Sequence, residues 1–125
     1  MTCKVLVADD DAYITNVVAR KLQNAGLDVI VAMDGREAYE RAIAERPDFL
    51  ITDLQMPGMS GLELSARLTA ELPEPIPTIL LTAKGFEIDR TDTDHLPILH
   101  VMSKPFSPRE LLDNVRGAVE IGSLS

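Results

Sequence analysis

The sequence predicts a doubly wound α/β domain built on a five-stranded parallel sheet. Five short apolar segments alternate along the chain with segments whose apolar residues recur at helical spacing. Parallel strands need crossover connections, and right-handed helical crossovers cover both faces of the sheet. At 125 residues, with 46% hydrophobic and 26% charged residues, the chain is long enough to bury one core. We therefore expect residues 1–125 to form a single domain.

The predicted strands consist mostly of aliphatic and β-branched residues. Helices cover both faces of a parallel sheet, so its strands are expected to be apolar runs without strict alternation. Turn-forming or charged residues bound each run. The predicted strands are residues 4–8, 27–32, 49–52, 78–82 and 98–102.

Four helices are predicted from apolar residues spaced three and four positions apart, at residues 12–24, 36–45, 61–72 and 108–119. Asp11 is the expected N-cap of the first helix, and Gly26 is its expected stop. Ser107 and Glu110 form a capping box for the last helix, with Pro108 at its first position. The apolar residues expected on the helix faces that meet the sheet are Ile14, Val17, Val18, Leu22, Ala38, Tyr39, Ala42, Ile43, Leu62, Leu64, Leu68, Leu111, Leu112, Val115 and Val119.

The segment between the fourth and fifth strands differs from the other crossovers. Residues 85–97 (GFEIDRTDTDHLP) are polar, show no clear apolar stripe and end at a proline. Such a sequence offers little apolar surface to hold a helix against the sheet. We predict one short or poorly formed helix here. At the other end of the chain, residues 121–125 (IGSLS) are expected to fray.

Charge and composition exclude several classes of function. The formal net charge of −8 argues against a general affinity for nucleic acid or for anionic membranes, since both need basic patches. No apolar run approaches the roughly 20 residues of a membrane span, and the amino terminus lacks a signal-peptide pattern. The single cysteine, Cys3, has no partner for an internal disulfide and is predicted to be a small buried hydrophobe. A cytoplasmic location is expected.

Polar residues of definite kinds follow the ends of four predicted strands. The third strand stops at Asp53, just before a loop rich in glycine and proline. Asp9 and Asp10 follow the first strand, Thr82 ends the fourth, and Lys104 comes shortly after the fifth. Ligands of open α/β sheets bind at the carboxyl ends of the strands. We therefore expect these five side chains to converge at one edge of the sheet.

This set of side chains indicates phosphate chemistry with a divalent cation. Three carboxylates in one pocket repel one another, and a hard cation with retained waters, such as Mg²⁺, relieves that repulsion. A lysine and a hydroxyl can neutralise or donate to phosphoryl oxygens, and a carboxylate beside them can act as the nucleophile. The sequence contains no GxxxxGK[ST] loop, GxGxxG fingerprint or His/Cys metal pattern.

Other polar and sulfur-containing residues have simpler interpretations. His95 and His100 lack any partner at a useful spacing, so both are predicted to be structural or exposed. Met56, Met59 and Met102 are predicted to pack in loops and in the core.

Four motifs, VLVADDD, TDLQMPGMSGLE, LLTAK and SKPFSPREL, resemble the response-regulator receiver family of two-component signalling. The match covers essentially the whole chain. The resemblance implies a flavodoxin-like (βα)5 fold with strand order 2-1-3-4-5, an order that is taken from the family itself. It also implies a phosphorylation-dependent switch that catalyses only its own phosphorylation and hydrolysis. The donor would be a phosphohistidine on a sensor histidine kinase or a phosphotransfer protein, and the downstream target protein is unknown.

The resemblance assigns a role to each residue of the predicted site. Asp53 would be the phosphoacceptor and a Mg²⁺ ligand. Asp10 would bind the metal directly, Asp9 would act through a metal-bound water, and Gln55 would contribute its backbone carbonyl. Two further residues would act on the phosphoryl group. Lys104 would form an ion pair with it, and Thr82 would move to hydrogen-bond it.

Two departures from the family pattern fall near the fifth strand. The family often has an aromatic residue three positions before the lysine, and here that residue is Val101. The fourth crossover also lacks the usual Ala/Gly-rich helix. Both lie on the face that the family uses for signalling. We also predict that Lys84, two positions after Thr82, changes the lifetime of the aspartyl phosphate.

Three alternative functions remain open from the sequence. The chain could be a receiver excised from a larger hybrid kinase or regulator. It could be a Mg²⁺-dependent phosphatase that uses Asp53, although such enzymes resemble a DxD pattern and Gln55 stands where the second acid would be. It could also be an interaction module with a vestigial pocket. No output domain is recognised within residues 1–125.

Overall fold

The computed structural model describes residues 3–83, 88 and 90–124. Its strands are β1 (Lys4–Ala8), β2 (Asp28–Ala32), β3 (Phe49–Asp53), β4 (Thr78–Thr82) and β5 (Ile98–Ser103). They form one sheet in the order β2-β1-β3-β4-β5, and every neighbouring pair is parallel. The predicted doubly wound fold and its strand order are therefore confirmed.

The helices are α1 (Ala12–Asn24), α2 (Gly35–Glu45), α3 (Gly61–Glu71), α4 (Arg90–Thr93) and α5 (Pro108–Leu124). The predicted ranges of the first three helices differ from these by at most one residue at either end. The last helix is longer than predicted. Its helical backbone runs to Leu124, and the expectation that residues 121–125 fray stays a prediction.

Side-chain caps explain where α1 and α5 begin. Asp11 accepts a hydrogen bond from the Tyr13 backbone N–H at 2.9 Å, so it caps α1 as predicted. Ser107 accepts one from the Glu110 backbone N–H at 3.3 Å, which is half of the predicted capping box. Gly26 follows α1 with φ of +91°, a conformation that favours glycine and ends the helix. These caps hold the two helices that flank the candidate site.

The core has two layers, one on each face of the sheet. Alternate residues of a strand point to opposite faces, so Val5 and Val7 belong to one layer and Leu6 and Ala8 to the other. The first layer packs against α1 and α5, through Val18, Leu22, Leu111, Leu112 and Val115. The second packs against α2 and α3, through Ala38, Ala42, Leu64 and Leu68.

One predicted core residue of α3 is placed differently. Leu62 is only half-buried, whereas Ser65 is 2% exposed. The buried residues of α3 are Gly61, Leu64, Ser65 and Leu68, which fall at the i, i+3, i+4, i+7 spacing of one helix face. Leu62 lies off that face. The predicted burial of Val119 lies outside the described side chains.

The fourth crossover confirms the prediction of a short helix. Its helix, α4, has only four residues. The neighbouring edge strand β5 is exposed at three consecutive residues, and the side chains of Leu99 and Val101 are each 48% exposed. A single helical turn covers little of a strand, which accounts for this exposure at the sheet edge.

The remaining sequence predictions concern single residues. Cys3 is half-buried against the first core layer, and burial raises the pKa of its thiol. Both histidines are exposed. Met102 is buried in the first layer, and the two loop methionines, Met56 and Met59, pack partly buried against the second. Among the described residues, no helix is long and apolar enough to cross a membrane.

Candidate functional site

The carboxyl ends of the central strands lie level with one another, and this alignment brings the predicted site residues together. In the sheet register Ala8 pairs with Thr52, and Asp53 pairs with Leu81. Asp9 directly follows β1, and Asp53 is the last residue of β3. The two carboxylates therefore emerge side by side at one edge of the sheet.

Asp9, Asp10 and Asp53 form a compact carboxylate cluster. One oxygen from each of the three lies within 4.8 Å of the others. Asp9 is fully buried and Asp53 is 7% exposed, whereas Asp10 is exposed. Like charges at such distances, with two of them removed from water, repel one another strongly. Oxygen ligands with one solvent-facing side suit a hard cation that keeps several of its waters, so these residues fit Mg²⁺.

Lys104 is the cation of the cluster. Its Nζ lies 2.8 Å from Asp9 Oδ2 and 3.5 Å from Asp53 Oδ1. Its backbone N–H donates to the Thr82 carbonyl at 2.7 Å, which fixes the start of the loop after β5 against the end of β4. The peptide bond between Lys104 and Pro105 is cis. The ammonium group thus lies between two of the three carboxylates.

Both carboxylate oxygens of Asp9 are occupied by protein donors. Oδ1 accepts a hydrogen bond from the Asp11 backbone N–H at 2.9 Å, and Oδ2 accepts one from Lys104. A buried carboxylate is stable only when its oxygens are satisfied in this way. Two protein donors therefore hold the Asp9 carboxylate in place.

The electrostatics of Asp53 reflect its crowded position. Burial raises the pKa of its carboxyl group, and the charges of Asp9 and Asp10 raise it further, against the opposing effect of Lys104. Burial by itself would lower the pKa of Lys104, but its hydrogen bonds and charge interactions with Asp9 and Asp53 outweigh that effect and raise it. The cluster therefore carries more negative charge than its single lysine neutralises.

Thr82 and Gln55 lie at the same edge of the sheet. Thr82 ends β4, is 1% exposed, and pairs in register with Ser103 on β5. It is one residue beyond Leu81, the partner of Asp53. Gln55 is exposed in the loop that follows β3. The predicted site residue Lys84 lies outside the described residues.

Gly61 has a specific role in the structure that its place at the start of the predicted helix 61–72 did not indicate. Gly61 is the first residue of α3, and a Cβ atom at this position would collide with the backbone carbonyl of Asp53. Its N–H donates to the Leu54 carbonyl at 2.9 Å. Glycine thus lets the start of α3 pack directly on the backbone of the candidate nucleophile. A glycine directly after the cap Ser60 was the sequence signal for this contact.

Comparison with known proteins agrees with the fold. The family model of the response regulator receiver domain matches residues 5–116. Over 116 residues the chain is 37% identical to the alkaline phosphatase synthesis transcriptional regulatory protein PhoP of Bacillus subtilis, covering 93% of this chain and 48% of that one. It is 35% identical over 116 residues to the phosphate regulon transcriptional regulatory protein PhoB of Pseudomonas aeruginosa, covering 92% and 51%. The chain belongs to the response regulator receiver family.

Solved structures show the same relationship. The chemotaxis response regulator CheY4 of Vibrio cholerae superposes with a TM-score of 0.81 at 31% identity, covering 93% of this chain and 98% of that one. The chain spans about half the length of the curated relatives it matches. Membership of this family supports phosphorylation-dependent signalling, and receiver domains generally bind Mg²⁺ at an acidic pocket such as the one described above.

Proposed function

We propose that this domain is a signalling switch that accepts a phosphoryl group on Asp53 with the help of Mg²⁺. The observation that carries the proposal is the cluster itself: Asp53 at the sheet edge, with oxygens of two further carboxylates within 4.8 Å and the Lys104 ammonium at 3.5 Å. The donor is a phosphohistidine of a sensor histidine kinase or phosphotransfer protein. The receptor of the signal is a downstream protein.

Asp53 supplies the nucleophile. One of its carboxylate oxygens attacks the phosphorus atom, the P–N bond to the donor imidazole breaks as the new P–O bond forms, and the imidazole leaves with the electron pair of the broken bond. Burial makes the negative charge of Asp53 unfavourable in the resting domain. Binding of a cation or phosphorylation of the carboxylate would each relieve this unfavourable charge.

Asp10, Asp53, the Gln55 carbonyl and, through a water, Asp9 would hold Mg²⁺, and the bound ion would neutralise phosphoryl oxygens during transfer. The ammonium group of Lys104 already lies 3.5 Å from Asp53 Oδ1. It would pair with a phosphoryl oxygen carried by that carboxylate. The hydroxyl of Thr82 would donate to another phosphoryl oxygen and so couple the end of β4 to the state of Asp53.

Two of the alternatives keep part of this chemistry. A receiver that forms a module of a larger kinase or regulator would use the same residues, so the proposed reaction is common to both. A phosphatase acting on another substrate would need a general acid near Asp53, and the residue two positions on is Gln55. We propose that the domain is not an enzyme toward other substrates, that it contacts neither nucleic acid nor membrane, and that it works in the cytoplasm.

The test is intact-mass spectrometry after incubation with acetyl phosphate and Mg²⁺. Wild type should gain the mass of one phosphoryl group, and it should gain nothing when EDTA replaces Mg²⁺. Asp53→Asn should remain unmodified. Asp113→Asn, which changes an exposed carboxylate on α5, should label like wild type. Labelling of Asp53→Asn to the wild-type extent would refute the assignment of the acceptor, and steady release of phosphate from an unrelated phosphoester would revive the phosphatase.

A further inference from the structure

Thr52 is a buried polar residue that the proposed reaction does not use. It is fully buried, and it directly precedes the candidate nucleophile Asp53 on β3. It pairs in register with Ala8 of β1 and Leu80 of β4. Alternate residues of a strand share a face, so Thr52 points toward the α2/α3 layer, as Leu50 does. A hydroxyl in such a place needs an acceptor, because burying it unpaired costs free energy.

The hydroxyl of Thr52 has two acceptors within reach, and both belong to the segment that carries the nucleophile. Its Oγ1 lies 3.0 Å from the backbone carbonyl oxygen of Asp53 and 4.0 Å from the sulfur of Met56. A hydroxyl has one proton to donate, and a thioether sulfur is only a weak acceptor. The proton therefore goes to the Asp53 carbonyl, while Met56 packs beside the hydroxyl.

The backbone around this carbonyl is held by α3 and β4 as well. A Cβ atom at Gly61 would collide with the Asp53 carbonyl, so the start of α3 lies directly against it. The Leu54 N–H donates to the Leu81 carbonyl of β4 at 2.8 Å, and the Leu54 carbonyl accepts from Gly61 at 2.9 Å. The hydroxyl of Thr52 adds a side-chain hydrogen bond to these backbone contacts. The orientation of the Asp53 peptide therefore depends on Thr52 as well as on Gly61.

The orientation of this peptide determines where the Asp53 carboxylate points. The side chain leaves the same residue whose carbonyl the hydroxyl holds. A rotation of that carbonyl about the backbone would move the carboxylate oxygens relative to the Lys104 ammonium, which lies 3.5 Å from Oδ1. Reacting groups have to be held within about 0.5 Å of the productive geometry. A hydroxyl that restrains the carbonyl therefore acts on the nucleophile through the backbone.

We propose that Thr52 is a positioning residue for the phosphorylation of Asp53: its buried hydroxyl holds the Asp53 carbonyl and so aligns the carboxylate for attack on phosphorus. This rests on the proposed function and adds a residue outside the carboxylate cluster. Because Thr52 is fully buried, it acts through Asp53 and does not touch the phosphoryl group. It therefore changes how fast Asp53 is labelled, and Asp53 remains the acceptor without it.

Four side chains at position 52 separate the effect of the hydroxyl from that of the methyl group. Thr52→Val replaces the hydroxyl by a methyl group, Thr52→Ser keeps the hydroxyl and removes the methyl group, and Thr52→Ala removes both. The pair Thr52→Ser and Thr52→Ala repeats the comparison in a smaller side chain, and it decides the question if the valine variant does not fold. The initial rate of labelling by acetyl phosphate in Mg²⁺ is measured by intact mass, beside urea denaturation of each variant.

Thr78→Val is the matched control for the loss of a buried hydroxyl. Thr78 is also buried, and its hydroxyl donates to a backbone carbonyl, that of Ile76, at 2.9 Å. It stands at the start of β4, whereas Thr82 of the candidate site ends that strand. Thr78→Val thus removes an equivalent hydrogen bond at the end of the strand away from the site.

Thr52→Val and Thr52→Ala should label about five-fold or more slowly than wild type, the effect of losing one net hydrogen bond in the transition state. Thr52→Ser and Thr78→Val should stay within about two-fold of wild type. A merely structural role would instead make the labelling rates follow the stabilities of the variants, whether or not they keep the hydroxyl.

Three results would overturn the role of the hydroxyl and leave Asp53 as the acceptor. They are labelling of Thr52→Val within about two-fold of wild type, equal slowing of Thr52→Ser and Thr52→Ala, and equal slowing of Thr78→Val and Thr52→Val. Absence of any label on wild type would instead remove the proposed function on which this role rests.

Discussion

Strands β3 and β5 have similar lengths and apolar compositions, but they occupy very different surroundings. All five residues of β3 are buried, and the strand lies at the centre of the sheet between β1 and β4. In β5 only Met102 is buried, and the strand forms an edge next to the single turn of α4. The proposed acceptor is thus carried by a fully enclosed strand, whereas β5 is the least enclosed strand of the sheet.

The difference in burial between β3 and β5 suits a signalling switch. A nucleophile must be held in place relative to its cation and hydrogen-bond donors, and close packing on both faces of β3 does this. An element that changes its contacts on modification must cost little to rearrange, which favours few buried contacts. The exposed Val101 on β5 lacks the aromatic ring that many family members have there, so any coupling through this strand uses an aliphatic side chain.

The largest expected effect is on stability and distinguishes the two strands directly. Leu50 of β3 is 1% exposed, whereas Leu99 of β5 is 48% exposed. Leu50→Ala should lower the free energy of unfolding by about 2–5 kcal/mol, because it leaves a cavity in the α2/α3 layer. Leu99→Ala should cost less than about 1 kcal/mol, because much of this side chain already contacts water. Urea denaturation of both variants measures the two values, and equal losses would contradict the proposed difference between the strands.

A smaller effect is expected from two glycines in helices. A Cβ at Gly61, at the start of α3, would collide with the Asp53 carbonyl, while a Cβ at Gly117 of α5 would meet nothing within 4 Å. Gly61→Ala should destabilise the domain by about 2 kcal/mol, since the added methyl must displace backbone. It should also slow labelling by acetyl phosphate, because the displaced backbone carries the acceptor.

Gly117→Ala serves as the matched control for this prediction. Alanine is the better helix former, so this variant should gain about 0.5–1 kcal/mol and label normally. Thermal unfolding and the labelling rate are measured together for both variants. A Gly61→Ala protein as stable and as reactive as wild type would show that the contact with Asp53 is not tight in solution.

The fold could be predicted almost completely from the sequence, for a clear physical reason. Apolar runs and helical spacing are local signals, and the five strands leave few arrangements once right-handed crossovers are required. The weak apolar pattern of residues 85–97 predicted a short helix correctly, since α4 has only one turn. The predicted burial of Leu62 was wrong, because the sequence alone does not distinguish an apolar residue one position off the buried helix face from one on that face.

The sequence predicted which residues come together at the candidate site, but it predicted much less about how their side chains are arranged. The ends of the predicted strands indicated that Asp9, Asp53 and Lys104 lie close together, because the carboxyl ends of parallel strands meet at one edge of the sheet. Nothing in the sequence indicated that Lys104 is closer to Asp9 than to Asp53, since that depends on side-chain packing across 95 positions of chain. The close approach of Gly61 to the Asp53 carbonyl likewise depends on how the loop between them folds, although the glycine after Ser60 was a sequence signal for it.

An effect smaller than that of Gly61→Ala is expected from the charge of Asp53. Burial and neighbouring acids raise the pKa of Asp53 in the folded state above its ordinary value of 3.8, so the folded domain binds this proton more tightly than the unfolded chain does. Stability must therefore fall as pH rises through the interval between the two values. Asp53→Asn keeps the shape and removes this penalty, and at pH 7 without Mg²⁺ it should be more stable than wild type by about 1 kcal/mol. The advantage should vanish as pH falls below the ordinary carboxyl value.

Mg²⁺ separates this electrostatic cause from a change in packing. A cation that binds the folded wild type at its three carboxylates stabilises it by mass action, whereas the variant lacks one of these ligands. Adding Mg²⁺ at pH 7 should therefore reduce or reverse the advantage of Asp53→Asn in thermal unfolding. A gain that persists unchanged at acid pH and in Mg²⁺ would mean that packing, and not the concentration of negative charge at the end of β3, limits the stability of this part of the molecule.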